Sequence, residues 1–309
     1  MFLHSFHPNP VFLDLSFVQI HWYGFLIALS IVIAFLIFYR LAKRAGFNKN
    51  FIFNLSFWLI IWGLIGARLY HVLSEIGYYF HHPLEVFFIW QGGVGIFGAL
   101  MAGILTVFYF SSRVISNNSS YSLNSPFINE TEIKRIKQIK TNKSYWLLVT
   151  GYWLFLLSLL APPLALAQAI SRWGNYFNQE LYGLPTNLPW SIPINLENRL
   201  PGYESFEFFH PVFLYESLFC FLIFLILSLL LLKKLKHKES YGHTPGLIFL
   251  LYIMLYGTWR FFIEFLRLDP QPVFLSLRLG QWTSLIFIAF SIILYFSWKF
   301  KQQKIQKEH

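Results

Sequence analysis

The stretch at 170–183, ISRWGNYFNQELYG, closes a long apolar run and packs Arg172, Asn175, Asn178, Gln179 and Glu180 into nine residues. The run before it, 146–169, is broken only by Pro162 and Pro163. Read as a membrane-crossing helix, it leaves the Arg172 guanidinium at or just inside its end. A charge there costs roughly 2.5 to 3.5 kcal/mol at full depth and less near the interface. Polar groups kept against that cost hold something anionic or a partner helix. On helical spacing Arg172, Asn175 and Gln179 fall at i, i+3 and i+7 and share one face, with Glu180 beside it. A purely structural reading stands next to this one: Arg172 pairs with Glu180 in an interfacial cap, and Trp173 and Tyr176 are belt aromatics.

Composition sets the class. The 309 residues are 56% hydrophobic, 21% aromatic and 12% charged, against roughly 25% charged for a soluble domain. The expectation is an all-α, polytopic integral membrane protein. The single cysteine, Cys220, lies in an apolar run, excludes an internal disulfide and reads as a small buried hydrophobe. Residues 1–20 lack a basic start, an unbroken apolar core and an Ala-x-Ala site, so they do not read as a secretory signal.

Seven spans of near the roughly 20 residues a bilayer requires are expected at about 22–39, 51–73, 92–112, 146–169, 212–232, 245–265 and 280–298. The connections on one side carry eighteen of the 24 Lys and Arg residues, including every lysine. By the positive-inside rule that side is cytoplasmic, as is the C-terminus, and the N-terminus lies outside. The six basic residues left over, Arg68, Arg172, Arg199, Arg260, Arg267 and Arg278, are all arginine. Guanidinium forks in such places suit bidentate capture of carboxylate or phosphate. The net charge of +10 is then a topological signature with affinity for anionic membrane lipid, not a sign of nucleic-acid binding.

The chain reads as one transmembrane catalytic domain, 1–309, with two notable connections. The segment 113–145 opens Ser/Asn-rich, SNNSSYSLNS, and turns basic, EIKRIKQIK. It reads as a disordered linker leading into a short helix on the cytoplasmic face, or as plain variable loop. The segment 184–211, with Pro185, Pro189, Pro193 and Pro201, is too polar to span. It reads as a small extracytoplasmic cap.

Several polar constellations then line up at the outer ends of the spans. His21, Trp22, Tyr23 and Gly24 open the first; Gly66, Ala67, Arg68 and Tyr70 close the second, in GARLYHV. The third begins WQGGVGIFGALMAG, where Gly98 and its neighbours allow close approach of a ligand or simply of another helix. HPVFLYE, with His210, Pro211, Tyr215 and Glu216, starts the fifth. The sixth carries YGTWRFFIEFLR, in which Tyr256, Arg260, Glu264 and Arg267 recur at i, i+4, i+8 and i+11. That face is either a site or an internal ladder in which Arg260 and Glu264 satisfy each other and Arg267 sits at the interface. Alternating spans bring all these ends to one membrane face. The ligand that suits such a cavity is an anionic phospholipid headgroup whose tails stay in the bilayer.

With these motifs in one order, the sequence resembles the bacterial phosphatidylglycerol:prolipoprotein diacylglyceryl transferase family over nearly its whole length, apart from 113–145. RWGNYFNQELYG is the most specific match, and HWYG, GARLY, WQGGVGIFG, HPVFLYE and the YG-x-x-R-x-x-x-E-x-x-R helix add to it. The resemblance implies an enzyme of the bacterial cytoplasmic (inner) membrane. It moves a diacylglyceryl group from phosphatidylglycerol to the lipobox cysteine of a preprolipoprotein signal peptide, forming a thioether and releasing glycerol phosphate. It implies Arg172 as a phospholipid-binding residue and Arg260 as essential, supported by Tyr256, Glu264 and Arg267. Tyr23, Asn175, Glu180 and Gly183 carry over as pocket residues, and Arg68 is expected to neutralise or orient a carboxylate. No metal or organic cofactor is expected.

One position departs from the family. Many members have a histidine in the third-helix motif where this chain has Phe97, within GIFGAL. Either another group takes the thiol proton, with Tyr23, His21, His210 and Glu180 as candidates, or no base is required there. The latter is favoured, because a thiol of pKa near 8.5 needs only a modest shift beside arginines. Two rival functions fit less well. An anionic-phospholipid carrier or flippase would line a path through the midplane and show repeated halves, and a hydrolase would show a Gly-x-Ser-x-Gly elbow or a His-Glu-x-x-His pair.

Overall fold

A computed structural model describes residues 2–16, 19–88, 93, 95–116, 142–236 and 246–307. The Ser/Asn-rich and basic stretch, 117–141, therefore lies outside the described residues. In chain order the elements are α1 (Phe2–Ser5), β1 (Val11–Asp14), β2 (Gln19–His21), α2 (Trp22–Arg44), α3 (Lys49–Ser74), α4 (Ile76–His81) and α5 (Ile96–Ser116). They continue with α6 (Asn142–Phe177), β3 (Ile192–Pro193), β4 (Phe208–Phe209), α7 (Val212–Lys236), α8 (Leu247–Ile263), β5 (Val273–Phe274), β6 (Leu277–Arg278) and α9 (Leu279–Lys307). Among the described residues six helices, α2, α3, α5, α6, α7 and α9, are long and apolar enough to cross a membrane, and α8 is a shorter apolar helix. The protein is all-α and polytopic. Each expected span has its helix, and the differences lie at the ends.

Two of those differences have local causes. The third span does not begin at 92: α5 starts at Ile96. Gly93 adopts a left-handed φ of 71°, and the Gly95 amide donates to the Ala67 carbonyl at 2.9 Å, so this backbone reaches to α3 instead of joining a helix. The fourth span does not stop at 169. Helix α6 runs through Pro162 and Pro163 to Phe177 and carries Arg172 and Asn175 with it. Each proline removes one ladder donor, a loss that membrane helices tolerate where neighbours supply other partners.

By its contacts the chain divides into two compact units, one of Met1–Phe38, Ser158–Lys234 and Leu247–His309, the other of Tyr39–Leu157 and Leu235–Gly246. In the second unit α3 and α5 cross at glycines. A methyl group on Gly98 would lie 2.0 Å from the Gly66 carbonyl oxygen, and one on Gly66 would lie 2.5 Å from Ala102 Cβ. Only small residues permit backbones to approach so closely. Asn48 caps α3 by accepting from the Phe51 amide at 2.8 Å, the role its side chain plays best.

In the first unit, side-chain hydrogen bonds lock the helices in rotation. Ser217 of α7 donates to the Ala169 carbonyl of α6 at 2.8 Å and accepts from Trp173 Nε1 at 3.2 Å. Tyr252 of α8 donates to Gln168 of α6 at 2.9 Å. The segment between α6 and α7 folds on a two-residue antiparallel pairing of β3 and β4, Ile192 opposite Phe209 and Pro193 opposite Phe208. Beneath it Tyr176, Tyr182, Ile192, Ile194, Phe209 and Phe213 form one buried cluster. Burial of such side chains is worth roughly 1.5–3 kcal/mol each. This cluster fixes the end of α6 against the start of α7.

Candidate functional site

The site starts where α6 ends. Beyond Phe177 the chain turns sharply: the Asn178 amide donates to Gly174, Gln179 to Tyr176 and Glu180 to Asn175, at 3.1, 3.0 and 3.0 Å. Gln179 and Leu181 take left-handed φ values of 51° and 55°, which cost non-glycine residues energy and persist only where the surroundings enforce them. The enforcement is visible at Gln179. Its buried side chain donates to the Pro8 carbonyl at 3.3 Å and accepts from the Asn195 amide at 2.7 Å. Gln179 therefore does not share the helical face of Arg172, because the helix has ended, and it works as a tie between segments.

Glu180 does not pair with Arg172 either. It is exposed and accepts from Asn175 Nδ2 at 2.8 Å and from Asn178 at 3.4 Å. Asn175 in turn accepts from Arg172 Nη1 at 3.4 Å. Tyr23 packs on Gly174, where an added methyl group would meet its ring at 2.6 Å. That glycine admits the tyrosine to the Arg172 end of α6. Gly183 serves a steric end as well. A methyl group there would lie 2.8 Å from the Leu266 carbonyl oxygen and 2.9 Å from His210 Cβ, and its backbone bridges Arg267.

Arg172 instead meets α7. Its Nε lies 3.0 Å from Glu216 Oε2, and the same guanidinium donates to the hydroxyl oxygen of Tyr256 of α8. Arg260, in the last turn of α8, reaches the other oxygen of Glu216 with Nη1 at 3.2 Å and Glu264 with Nη2 at 2.7 Å. Helix α8 stops at Ile263, so Glu264 and Arg267 lie past it and are not two further steps of one helical stripe. The turn carries Arg267 back to Glu216, at 3.6 Å, and to Asp269, at 2.7 Å. Arg267 is thus buried within the protein. Arg278 of β6 closes the network on Glu264 Oε1 at 3.3 Å and donates to the carbonyls of Glu264, Arg267 and Asp269.

Four guanidiniums and three carboxylates are joined in this way, leaving one net positive charge in the network. Exposure sorts the four. Arg172, Arg260 and Arg278 keep 21%, 17% and 19% of their side-chain surface, while Arg267 keeps 5%. Arg278 spends its nitrogens on Glu264 and three backbone carbonyls, so Arg172 and Arg260 are the two left to meet a ligand, and Arg267 supports them. Beyond the helices, burial raises the Asp269 carboxyl, but the hydrogen bond and charge of Arg267, with Gln271 and Arg278, outweigh it and hold the pKa below the usual value. Burial pulls the His210 imidazole down, which favours its neutral form, and the Tyr215 hydroxyl lies 3.2 Å from its Nδ1. Among the described residues no three His, Cys, Asp or Glu side chains come together to hold a metal ion.

Arg68, Gly98 and Phe97 belong to the other unit. Arg68 donates from Nε to the Val86 carbonyl at 2.9 Å, from Nη1 to Gly93 at 3.0 Å and from Nη2 to Glu85. These bonds pin the connection between α4 and α5. Gly98 is the helix crossing point described above, and Phe97 is exposed beside Tyr70, ring centroids 6.0 Å apart.

The residue that sequence reasoning undervalued is Glu216. HPVFLYE marks it as a helix start, yet nothing in that motif says that three arginines from other segments converge on it. Asp269 was missed in the same way, and Arg278, singled out among the six unplaced arginines, was given no partner, since both act from the connection after α8.

Long apolar helices with guanidiniums gathered around carboxylates near their ends define a class: a polytopic membrane protein with a charged cluster held among its helix ends. The chain matches the family described as Prolipoprotein diacylglyceryl transferase over residues 10–123 and 143–297. It is 36% identical over 285 residues to a phosphatidylglycerol--prolipoprotein diacylglyceryl transferase of Nostoc sp., covering 92% of this chain and 87% of the relative. It is 34% identical over 307 residues to the protein of that name from Prochlorococcus marinus, strain MIT 9312, covering 93% and 91%. The protein belongs to the prolipoprotein diacylglyceryl transferase family.

Proposed function

We propose that the protein transfers the diacylglyceryl group of phosphatidylglycerol to the lipobox cysteine of a prolipoprotein, the first step of lipoprotein maturation, at the outer face of a bacterial cytoplasmic membrane. The observation that carries this reading is the pair Arg172 and Arg260, drawn from different helices onto the two oxygens of Glu216 and still partly exposed. A phosphodiester headgroup bears one negative charge, and the network has one net positive charge to offer it.

In the reaction, the cysteine sulfur attacks the glyceryl carbon that carries the phosphate. A carbon–sulfur bond forms, the carbon–oxygen bond to phosphate breaks, and its electron pair stays on the leaving glycerol phosphate. The phosphate passes from one negative charge towards two. Guanidiniums fixed in advance stabilise that added charge more than they stabilise the bound lipid, which is how such a site lowers a barrier. Arg172 and Arg260 take the phosphate, and Tyr256, Glu264 and Arg267 hold them. Asn175, Glu180 and Tyr23 form the neighbouring wall. With Phe97 where the family resemblance implies an imidazole, the thiol gives its proton to water under the positive field of the site, which favours thiolate.

A carrier or flippase is not favoured. The charged groups of the first unit sit at the end of α6, the start of α7 and the end of α8, not along the helix middles that such a path follows. The test is transfer of labelled diacylglycerol from phosphatidylglycerol to a lipobox peptide by the purified protein in liposomes. Label should appear on peptides with cysteine and not on those with serine. Headgroup release without peptide would overturn the transferase reading.

A further inference from the structure

We infer that Glu216 is the positioning residue of this site: its carboxylate splits between Arg172 and Arg260 and sets the spacing and orientation at which the two guanidiniums meet the phosphate. The inference rests on the function proposed above and names what organises its clamp.

The geometry is specific. Glu216 keeps only 3% of its side-chain surface, less than either arginine it joins. Oε2 takes Arg172 Nε, while Oε1 takes Nη1 of Arg260 and, more distantly, Nη1 of Arg267. Among the described residues it is the one acidic side chain that touches both Arg172 and Arg260. Arg260 is held on both sides, by Glu216 at one terminal nitrogen and Glu264 at the other, so the plane of its guanidinium is fixed. Helix α7 cannot turn Glu216 away. Its first turn is buried at Val212 and Phe213, and Ser217, next to Glu216, is bonded to α6.

Cohesion alone does not require this arrangement. Taking a carboxylate and its partners out of water costs several kcal/mol per ion, and apolar residues of similar volume often hold helices together as well or better. What a shared carboxylate adds is geometry. Without it three guanidiniums repel one another and spread, and a phosphate can still bind, but in many poses. Since the added charge of the transition state is what needs the arginines in place, losing Glu216 should reduce turnover more than lipid binding. Neutralising it also adds one positive charge to the site, which favours the anionic lipid in the ground state.

The test compares E216Q and E216D with wild type in liposomes, by kcat and KM for phosphatidylglycerol with a lipobox peptide. E216Q should lower kcat by about 100-fold or more, the scale seen when one fixed electrostatic group is removed, with KM unchanged or lower. E216D keeps the charge but shortens the reach, and should lower kcat by about tenfold with KM again not raised. Wild-type kcat in folded E216Q, or a loss expressed only as a higher KM, overturns the inference. An E216Q with lower KM and equal or higher kcat also overturns it, because Glu216 would then be a placeholder that substrate displaces. Should E216Q not fold, E216D decides, since wild-type kcat in that variant is incompatible with a positioning role. Wild-type protein that transfers nothing to the peptide overturns the function itself, a different result from an active wild type with an equally active E216Q.

Discussion

Two arginine environments in this molecule differ in what they hold. Arg68 directs its nitrogens to the backbone carbonyls of Glu85, Val86 and Gly93 and keeps in place the connection that precedes α5. Arg172 and Arg260 direct theirs to side-chain carboxylates on another helix and one turn away. Carbonyls are fixed dipoles of the chain, so an arginine bound to them is part of the fold. A carboxylate is a charge that a second anion can share or compete with. The same residue type, expensive in a membrane in both places, thus serves architecture in one unit and, in the proposed function, anion handling in the other.

The sharpest way to break that contrast is to truncate both kinds. Arg172→Ala and Arg260→Ala should each reduce transfer to the lipobox peptide by about 10³-fold or more while the protein stays folded in detergent. Arg172→Lys should recover little of it, because a lysine cannot supply the planar fork. Full activity in either alanine variant would remove these residues from the reaction.

Gly183→Ala comes next. Its added methyl group meets the Leu266 carbonyl at 2.8 Å, a backbone atom that cannot step aside without moving Arg267. The expected cost is about 1–3 kcal/mol, read as a lower thermal midpoint together with reduced transfer. A variant with wild-type values for both would show that the 183–267 contact does not position the network.

Arg68→Ala should lower the thermal midpoint by taking a donor from the carbonyls of Val86 and Gly93, and one of two from that of Glu85, at about 1–3 kcal/mol for a buried group. Its loss of transfer per folded molecule should be smaller than that of Arg172→Ala. An equal loss would erase the distinction between the two environments. The smallest effect is expected from Phe97→His. Transfer should change by less than about tenfold, against the 10²–10⁴-fold that a positioned base contributes, and a larger gain would show that an imidazole at this place still does chemistry.

Much of the fold was legible in advance because a bilayer imposes a length and a polarity on every span. The seven apolar segments each became a helix, and their errors fell at ends where glycines or prolines decide the local path, as at Ile96 and beyond Pro163. The arginines stood out for the same reason, as charges without an evident topological purpose. The ladder read from Tyr256 to Arg267 was half right: Arg260 and Glu264 do pair, but the helix ends between them and Arg267 turns inward to Glu216 and Asp269.

By itself, then, the amino-acid order determined the class of the protein, its spans, its family and which arginines lack a topological purpose, because hydropathy and local motifs are properties of neighbours along the chain. Only the tertiary structure decided which carboxylate meets which arginine. Arg172, Glu216, Arg260 and Arg278 come from separate segments, and their pairing depends on how helix ends, side-chain hydrogen bonds and one tight turn rotate those segments toward one another. No spacing rule along the sequence carries that information.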